Sequence, residues 1–273
     1  MLWPPGHFYS PIPSITSVRA NETSIFAVPE NLPGIDLQMA QQVRLIEEFE
    51  DVAREQPFSA DPAPGLRDHY DNSYFSYGDG LLLYCMLRHH RPARIVEVGS
   101  GYSSALMLDV NDRFLDGATR CTFIDPYPER LRTLLRPDEE TEVHVLPVAM
   151  QDVELDVFLE LRGGDVLFID SSHVAKVGSD VNRLFFDVLP ALERGVLVHI
   201  HDILYPFNYP TQWVYEGRAW NEAYLLRAFL TFNPAYAIRL FSSYLAAFHY
   251  ATVNARLPLW GKNTGGSIWL ERL

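Results

Sequence analysis

Short apolar runs alternate with amphipathic stretches through the second half of the chain. The runs are rich in β-branched residues and predict buried strands, whereas the amphipathic stretches have the apolar spacing of helices. Strands are predicted near 94–98, 120–125, 143–148, 165–170 and 195–201. Helices are predicted near 103–113, 128–136, 152–162 and 179–192. This alternation predicts an α/β domain in which helices cover both faces of a parallel sheet.

The segments on either side of this core have other patterns. Residues 1–35 are rich in proline and predict an irregular arm, and residues 57–72 predict a loop. Helical periodicity covers 36–56, about 79–90 and 220–231, and the last strands are predicted at Ala237–Phe241 and Ser267–Arg272. We therefore divide the chain into an N-terminal arm and helical extension at 1–80 and one core domain at 81–273. An aromatic, proline-rich insertion at 204–221 interrupts that core domain.

Composition narrows the function classes. The 273 residues are 48% hydrophobic, enough for one domain with a large core, and the net charge of −13 argues against nucleic acid and anionic membrane partners. No apolar run approaches the roughly 20 residues of a membrane span, and no secretory signal is visible. Cys85 and Cys121 lie in apolar stretches and predict reduced thiols in a cytoplasmic protein.

A glycine turn follows the first core strand in the stretch Arg94–Ala105, with the sequence RIVEVGSGYSSA. Glu97 stands near the end of the strand, and Gly99 and Gly101 allow a sharp turn in which a ligand can approach the backbone. Ser103 and Ser104 are predicted to cap the following helix. Such a turn binds a cofactor or, alternatively, only connects a strand and a helix.

Two cofactors fit a turn of this kind. A dinucleotide site requires G-x-G-x-x-G, but Ser104 stands at the third glycine position. Asp125, at the end of the next strand, suits the ribose of either a nicotinamide cofactor or S-adenosyl-L-methionine. Glu97 would repel a pyrophosphate and attract the ammonium and sulfonium of S-adenosyl-L-methionine, so the residues favour the latter.

The motifs EVGSGYSS and FIDP resemble those of class I S-adenosylmethionine-dependent methyltransferases. Phe168–His173 (FIDSSH) and Val198–Asp202 (VHIHD) resemble the bacterial branch that includes cephalosporin-hydroxylase-like proteins and macrolide-sugar O-methyltransferases. The resemblance covers roughly residues 70–273. It implies a Rossmann-like, mostly parallel seven-stranded sheet whose last two strands pair antiparallel. It also implies methyl transfer, for which we expect as acceptor a hydroxyl on a sugar or other natural product.

The predicted cofactor site combines the turn with the ends of the next strands. Glu97 and Gly99–Gly101 would hold the methionine end and Asp125 the ribose, while Gln151 and Asp152 fall where this family contacts adenine. Asp152 is alternatively a helix N-cap, and Tyr102 and Ser103 alternatively only cap a helix. The full predicted set is Glu97, Gly99, Ser100, Gly101, Tyr102, Ser103, Asp125, Pro126, Gln151, Asp152 and Asp170.

Acidic and histidine residues end the fourth and fifth strands. Adjacent strand ends lie ~5 Å apart, so Asp170 and Asp202 can share a divalent cation such as Mg²⁺ or Mn²⁺. His201 is the predicted third ligand and would favour Mn²⁺, Fe²⁺ or Zn²⁺, although the resembling enzymes usually have an acid there. We expect such a metal to assist O-methylation by acidifying the acceptor hydroxyl. His199 is predicted to be a hydrogen-bonded core residue. The catalytic residues are predicted to be Asp170 and His173, the latter as the base that the resemblance implies or, alternatively, as a loop anchor.

The insertion at 204–221 is too long for a simple connection of ~2–6 residues and predicts a lid or acceptor pocket. Its predicted substrate contacts are Tyr205, Tyr209, Trp213, Trp220 and Asn221. These aromatics alternatively pack on the body or on a second subunit. The proline-rich arm would allow a homodimer. The alternative functions are a binding or scaffold protein on a methyltransferase fold, an NAD-dependent reductase, and methyl transfer to nitrogen or carbon.

Overall fold

A computed structural model describes residues 2–137, 139 and 141–273. Its strands form one seven-stranded sheet in the order β3-β2-β1-β4-β5-β7-β6. β7 is antiparallel to both of its neighbours, and the other pairs are parallel. The strands are β1 (Arg94–Val98), β2 (Arg120–Ile124), β3 (His144–Leu146), β4 (Val166–Ile169), β5 (Leu197–His201), β6 (Tyr236–Phe241) and β7 (Ser267–Arg272). The predicted Rossmann-like α/β fold, with its antiparallel last strands, is therefore confirmed.

The helices that cover and extend this sheet are mostly short. They are α1 (Ile15–Ala20), α2 (Glu22–Ile25), α3 (Met39–Arg54), α4 (Tyr77–His90), α5 (Tyr102–Phe114), α6 (Glu129–Leu134), α7 (Asp156–Leu159), α8 (Asp180–Arg183), α9 (Leu189–Ala191), α10 (Thr211–Tyr215), α11 (Glu222–Leu230), α12 (Ser242–Phe248) and α13 (Tyr250–Arg256). None of the described helices has both the length and the apolar character needed to cross a membrane.

Two predicted helices are irregular in the structure. The stretch predicted at 152–162 consists of a 3₁₀ turn at Met150–Asp152 followed by α7, so Asp152 does not cap a helix. The helix predicted at 179–192 is divided by a π-helical turn at Leu184–Val188, which ends two residues before Pro190. Proline lacks the N–H that a regular α-helix needs at that point. The helices α12 and α13, between β6 and β7, were not predicted.

Burial explains why the sequence predicts the central strands well. The central strands are buried along almost their whole length, which is why they appear as continuous apolar runs. Helix α4 is also buried from Gly78 to Leu87 and lies against α3 and α5. It continues across the boundary predicted between residues 80 and 81.

The N-terminal arm packs on the insertion at 204–221. The Tyr205 hydroxyl donates to the Pro29 carbonyl at 2.6 Å, and the Asn208 amide donates to the Ile25 carbonyl at 3.0 Å. At the end of α10, Tyr215 donates to Glu22 at 3.0 Å. The arm thus contains two short helices, α1 and α2, and holds the insertion against the body of the protein.

A buried ion network fixes the loop before α4. The Arg67 side chain is 3% exposed, and its Nη1 lies 2.7 Å from Asp109 Oδ1. Its Nη2 lies 2.8 Å from Asp112 Oδ2 and also contacts Glu139. The same loop continues to Phe75, whose ring contacts Phe168 on β4 and His201 on β5. Arg67 therefore anchors a loop that reaches the carboxyl ends of the central strands.

We expect Arg67→Met to destabilise the fold by about 3–5 kcal/mol, because it leaves buried carboxylates without their cation. Guanidinium unfolding followed by circular dichroism measures this loss. The matched control is Arg54→Met, whose ion pairs with Glu50 and Asp51 lie on the exposed face of α3 and should contribute below about 1 kcal/mol. Equal losses in the two variants would contradict the anchoring role.

Candidate active site

The glycine turn brings the ends of β1 and β4 together. Gly99 has a φ of +85°, and a Cβ built on it would lie 2.4 Å from the Asp170 carbonyl oxygen. No side chain fits there, because such contacts are far below van der Waals distance. On the other side of the turn, a Cβ on Gly101 would lie 3.0 Å from Cδ of Arg130. The turn is therefore enclosed by Asp170 and Arg130.

A cavity of about 440 Å³ opens at this turn, a size typical of small-molecule sites. Six of the predicted cofactor residues line it: Gly99, Ser100, Asp125, Pro126, Gln151 and Asp170. The other lining residues include Arg130, Met150, Lys176 and Asp180. Glu97, Gly101, Tyr102, Ser103 and Asp152 are not among the lining residues. Most of the predicted residues that follow β1, β2 and β4 thus surround one cavity, whereas Glu97 on β1 and the two residues in α5 lie outside its wall.

Asp125 is held at the end of β2 by its neighbours. The Ser100 hydroxyl donates to its Oδ2 at 2.7 Å, and the Tyr127 backbone N–H donates to its Oδ1 at 2.8 Å. These bonds fix the carboxylate at the rim of the cavity, where a ribose diol can donate to it. The ribose role of Asp125 stays a prediction.

Glu97 is buried against the first turn of α5. Its side chain is fully enclosed, and the hydroxyls of Ser103 and Ser104 each donate to one carboxyl oxygen at 2.5 Å. Burial raises the pKa of Glu97 to about 8, against the lowering effect of the two hydroxyls. Ser104 also accepts a hydrogen bond from the Gly101 N–H, so its predicted capping role is confirmed, although the N-cap residue is Gly101.

His173 lies among three carboxylates. Its Nδ1 is 2.9 Å from Glu222 Oε2, and its Nε2 is 3.4 Å from Asp170 Oδ1 and 3.7 Å from Asp202 Oδ2. Burial alone would lower the pKa of His173, but the hydrogen bonds with Asp170 and Glu222 outweigh burial and raise it to about 10. The imidazole is thus oriented by Glu222 and presents Nε2 to Asp170, at the edge of the cavity.

Glu222 is the site residue that the sequence analysis missed. It begins α11, is fully buried, and accepts hydrogen bonds from the Ser171 hydroxyl at 2.9 Å to both carboxyl oxygens. Burial raises the pKa of Glu222, while the contact with His173 opposes that rise. In the sequence it is an acid in the first turn of a predicted helix, which is also typical of favourable interaction with the helix dipole.

The predicted metal site is not confirmed. His201 Nε2 lies 3.8 Å from Asp202 Oδ1, but His173 Nε2 faces the space between the carboxylates of Asp170 and Asp202. In the part of the chain that the structure describes, no three histidine, cysteine or acidic side chains are arranged to hold a metal ion.

His199 is buried as predicted, and its ring stacks on Phe168 with a centroid distance of 3.9 Å. Its ring nitrogens have no hydrogen-bond partner among the described residues, contrary to the prediction of a hydrogen-bonded core histidine. It belongs to the packed interior of the sheet and not to the cluster around His173.

The predicted acceptor residues fall into two groups. The Trp220 ring lies 4.3 Å from the His173 ring and 5.3 Å from the Trp213 ring, and both tryptophans are partly exposed. Tyr205 and Tyr209 are buried, and their hydroxyls bond Pro29 and the Ala223 N–H. Of these four rings, only that of Trp220 contacts His173, and Trp213 lies behind it.

Asn221 fixes the loop that carries His173. Its Oδ1 accepts from the Ala175 N–H at 2.6 Å, and its own N–H donates to the His173 carbonyl at 3.0 Å. His173 has a φ of 58°, a strained value for a residue other than glycine. Asn221 thus supports the conformation of this loop, and its side-chain oxygen is already engaged.

Comparisons with known proteins give a family match and a relative. A family described as a methyltransferase domain matches residues 96–203. An uncharacterized protein of Archaeoglobus fulgidus is 37% identical over 166 residues, which are 59% of this chain and 74% of that protein.

Similar solved structures include a Podospora anserina methyltransferase bound to S-adenosylhomocysteine, with 15% identity, a TM-score of 0.45, and coverage of 98% of this chain and 99% of that one. The O-methyltransferase TomG from Streptomyces achromogenes, in complex with S-adenosylmethionine, has 17% identity, a TM-score of 0.41, and coverage of 94% and 96%. Similarity at this level does not identify an acceptor.

The buried acid at position 97 predicts a pH-dependent stability. Because the pKa of Glu97 is higher in the folded protein than in an unfolded chain, stability should fall as the pH rises from about 4.5 through about 8. Gln cannot ionise, so the melting temperature of the wild type minus that of Glu97→Gln should fall by roughly 10 °C between pH 5 and pH 9. Glu129→Gln, on the surface of α6, controls for net charge. Parallel curves for wild type and Glu97→Gln would contradict the burial argument.

Proposed function

We propose that this chain, which belongs to the methyltransferase-domain family and is an S-adenosylmethionine-dependent methyltransferase, methylates a hydroxyl of a small sugar or natural-product acceptor. The observation that carries the proposal is the position of His173. Its Nε2 lies beside Asp170 at the rim of the cofactor cavity, and its ring lies against Trp220. A base between a methyl donor and an aromatic surface is the arrangement that O-methylation requires.

Methyl transfer from a sulfonium needs little chemical activation. The protein must align donor, methyl carbon and acceptor oxygen, and it must remove the hydroxyl proton. In this proposal, Nε2 of His173 takes that proton while Glu222 keeps a hydrogen bond to Nδ1 and stabilises the imidazolium. A neutral imidazole is required first, and the positive sulfonium next to Asp170 favours it by lowering the pKa of His173.

The carboxylates of Asp170 and Asp202 accept hydrogen bonds from neighbouring hydroxyls of the acceptor in this scheme. Metal assistance was predicted from Asp170, His201 and Asp202, but the arrangement of these side chains does not enclose a cation. We therefore assign no step to Mg²⁺, Mn²⁺ or Fe²⁺. Binding of Mn²⁺ that is abolished by Asp202→Asn would restore the metal prediction.

The setting of the reaction is also part of the proposal. A net charge of −13 favours a small molecule over nucleic acid or an anionic membrane. Cys85 and Cys121 are buried and unpaired, which supports a reducing, cytoplasmic compartment. The proposed partner is a hydroxylated small molecule. The homodimer that the N-terminal arm would allow stays an expectation.

Binding of S-adenosylhomocysteine should depend on Asp125. We expect one-site binding to the wild type by calorimetry, with and without Mn²⁺. Asp125→Asn should weaken binding roughly 10-fold or more, because the charged acceptor for the ribose is lost. Asp116→Asn, in an exposed turn, is the matched control and should bind like the wild type.

Absence of S-adenosylhomocysteine binding to the wild type would contradict the cofactor assignment and favour a scaffold on this fold. Preferential binding of NADH would favour the reductase alternative. Equal affinities of Asp125→Asn and the wild type would leave the cofactor in place but contradict the ribose role.

His173 and Glu222 should affect turnover more than cofactor binding. With a converted acceptor, His173→Gln should lower kcat about 10²–10⁴-fold, the usual contribution of a general base. Glu222→Gln should lower it by a smaller factor, because it removes the charge that stabilises the imidazolium but preserves the shape. Affinity for S-adenosylhomocysteine should change less than about threefold in either variant, since neither side chain lines the cavity.

The control for these variants is His89→Gln, a partly exposed histidine in the last turn of α4. Methyl transfer at a wild-type rate in His173→Gln would show that another group takes the proton. A methylated nitrogen or carbon in the product, identified by mass spectrometry and NMR, would contradict the choice of acceptor atom.

A further inference from the structure

We propose that Arg130 binds the α-carboxylate of the methionine part of S-adenosylmethionine and thereby selects against cofactors that lack this group. The inference deepens the proposed function and depends on it for the identity of the cofactor. It concerns a side chain that the sequence motifs did not single out. Three observations support it: the position of Arg130 at the glycine turn, the absence of an ion pair to it among the described residues, and the charges around it.

Arg130 stands directly against the turn that the cofactor occupies. It belongs to α6, which follows Asp125 and Pro126, and its side chain lines the cofactor cavity. A Cβ built on Gly101 would lie 3.0 Å from its Cδ and 3.9 Å from its Nη1. The absence of a side chain at Gly101 thus leaves room for the arginine to cross the turn.

The guanidinium is held in place but has free donors. Its Cζ lies 3.8 Å from the centroid of the Tyr74 ring, a stacked arrangement that leaves the N–H groups pointing outward from the ring. Tyr74 in turn stacks near Tyr102 at the start of α5. In the described part of the chain, no side chain forms an ion pair or a hydrogen bond with this guanidinium, although Asp170 lies within its electrostatic influence. An oriented, unpaired arginine in a cavity is suited to bind a carboxylate of a ligand with two parallel hydrogen bonds.

The charges on the two sides of the turn match an amino acid. The methionine end of the cofactor carries an ammonium and a carboxylate a few ångströms apart. Asp170 lies on the Gly99 side of the turn, and Arg130 lies on the Gly101 side. An ammonium near Asp170 therefore directs the carboxylate toward Arg130. The ribose end is already assigned to Asp125, which fixes the direction of the cofactor along the cavity.

Lys176 is the other cation that lines the cavity. It belongs to the loop after β4, where its backbone N–H donates to Ser179, and nothing places its side chain at the glycine turn. Of the two cations, Arg130 is the one in contact with the turn. The rival assignment is that Lys176 binds the carboxylate, and the same ligands test it.

The test compares two ligands that differ only in the carboxylate. S-adenosylhomocysteine has the group, and its decarboxylated analogue, S-adenosyl-3-thiopropylamine, lacks it. Calorimetry gives both dissociation constants for the full-length wild type, Arg130→Gln, Arg130→Lys and Lys176→Gln. We expect the wild type to prefer S-adenosylhomocysteine roughly 10- to 100-fold, and Arg130→Gln to reduce that preference to about threefold or less.

The affinity of Arg130→Gln for the decarboxylated ligand should stay within about threefold of the wild type, which also shows that the cavity is intact. Arg130→Lys should retain part of the preference through its charge, and Lys176→Gln should retain all of it. Loss of the preference in Lys176→Gln instead would assign the carboxylate to Lys176 and overturn the proposal. An equal weakening of both ligands in Arg130→Gln would also overturn it.

Failure of the proposed function gives a different result from failure of the Arg130 assignment alone. If the wild type binds neither ligand, the cofactor assignment itself is wrong, and the role of Arg130 is overturned with it. If the wild type binds S-adenosylhomocysteine and keeps its preference in Arg130→Gln, only the role of Arg130 is wrong. Because the test measures binding alone, it does not depend on knowledge of the acceptor.

Discussion

The contact between Gly99 and the backbone of Asp170 is the constraint on which the site depends. A side chain at position 99 would collide with the Asp170 carbonyl, so only glycine lets the end of β1 approach the end of β4 this closely. That approach places the glycine turn beside the loop that carries His173. In the proposed function, donor binding and proton removal are therefore adjacent because residue 99 has no Cβ.

The surroundings of His173 follow from the same geometry. Asp170 and Asp202 end neighbouring strands, and Glu222 begins the helix that follows the insertion, so three carboxylates converge from three elements. A buried imidazole by itself would be neutral, but here the acids outweigh burial. The network explains why Glu222 tolerates complete burial, since its carboxyl group is satisfied by His173 and Ser171.

The sequence predicted the sheet well because its strands are buried on both faces. Runs such as Arg94–Val98 have the same bounds in the prediction and in the structure, and Gly99 and Asp125 were recognisable because they stand at strand ends. The helices after β3 and β4 were less predictable, since their 3₁₀ and π turns respond to tertiary contacts and to Pro190.

The sequence did not predict the parts of the site that depend on contacts between distant residues or on the direction of a side chain. Glu222 is separated from His173 by 49 residues, and no local pattern marks an acid that will be buried. The sequence correctly placed His201 at the carboxyl end of β5. Its ring packs beside Phe75, which belongs to a loop whose contacts the sequence does not indicate. The sequence thus predicts that side chains at neighbouring strand ends lie close together, but not whether they are arranged as the ligands of a metal ion.

The aromatic residues of the insertion at 204–221 have different roles, which composition alone does not reveal. Tyr205 and Tyr209 are used to fasten the insertion to the arm and to α11, which leaves their rings enclosed. Because these residues hold the segment in place, Trp220 can remain partly exposed next to His173, with Trp213 beside it. In the proposed function these two rings form the acceptor surface, so the arm supports that surface through the backbone that Tyr205 secures. A change in the arm would then alter acceptor binding by moving this support and would leave the chemistry at His173 unchanged.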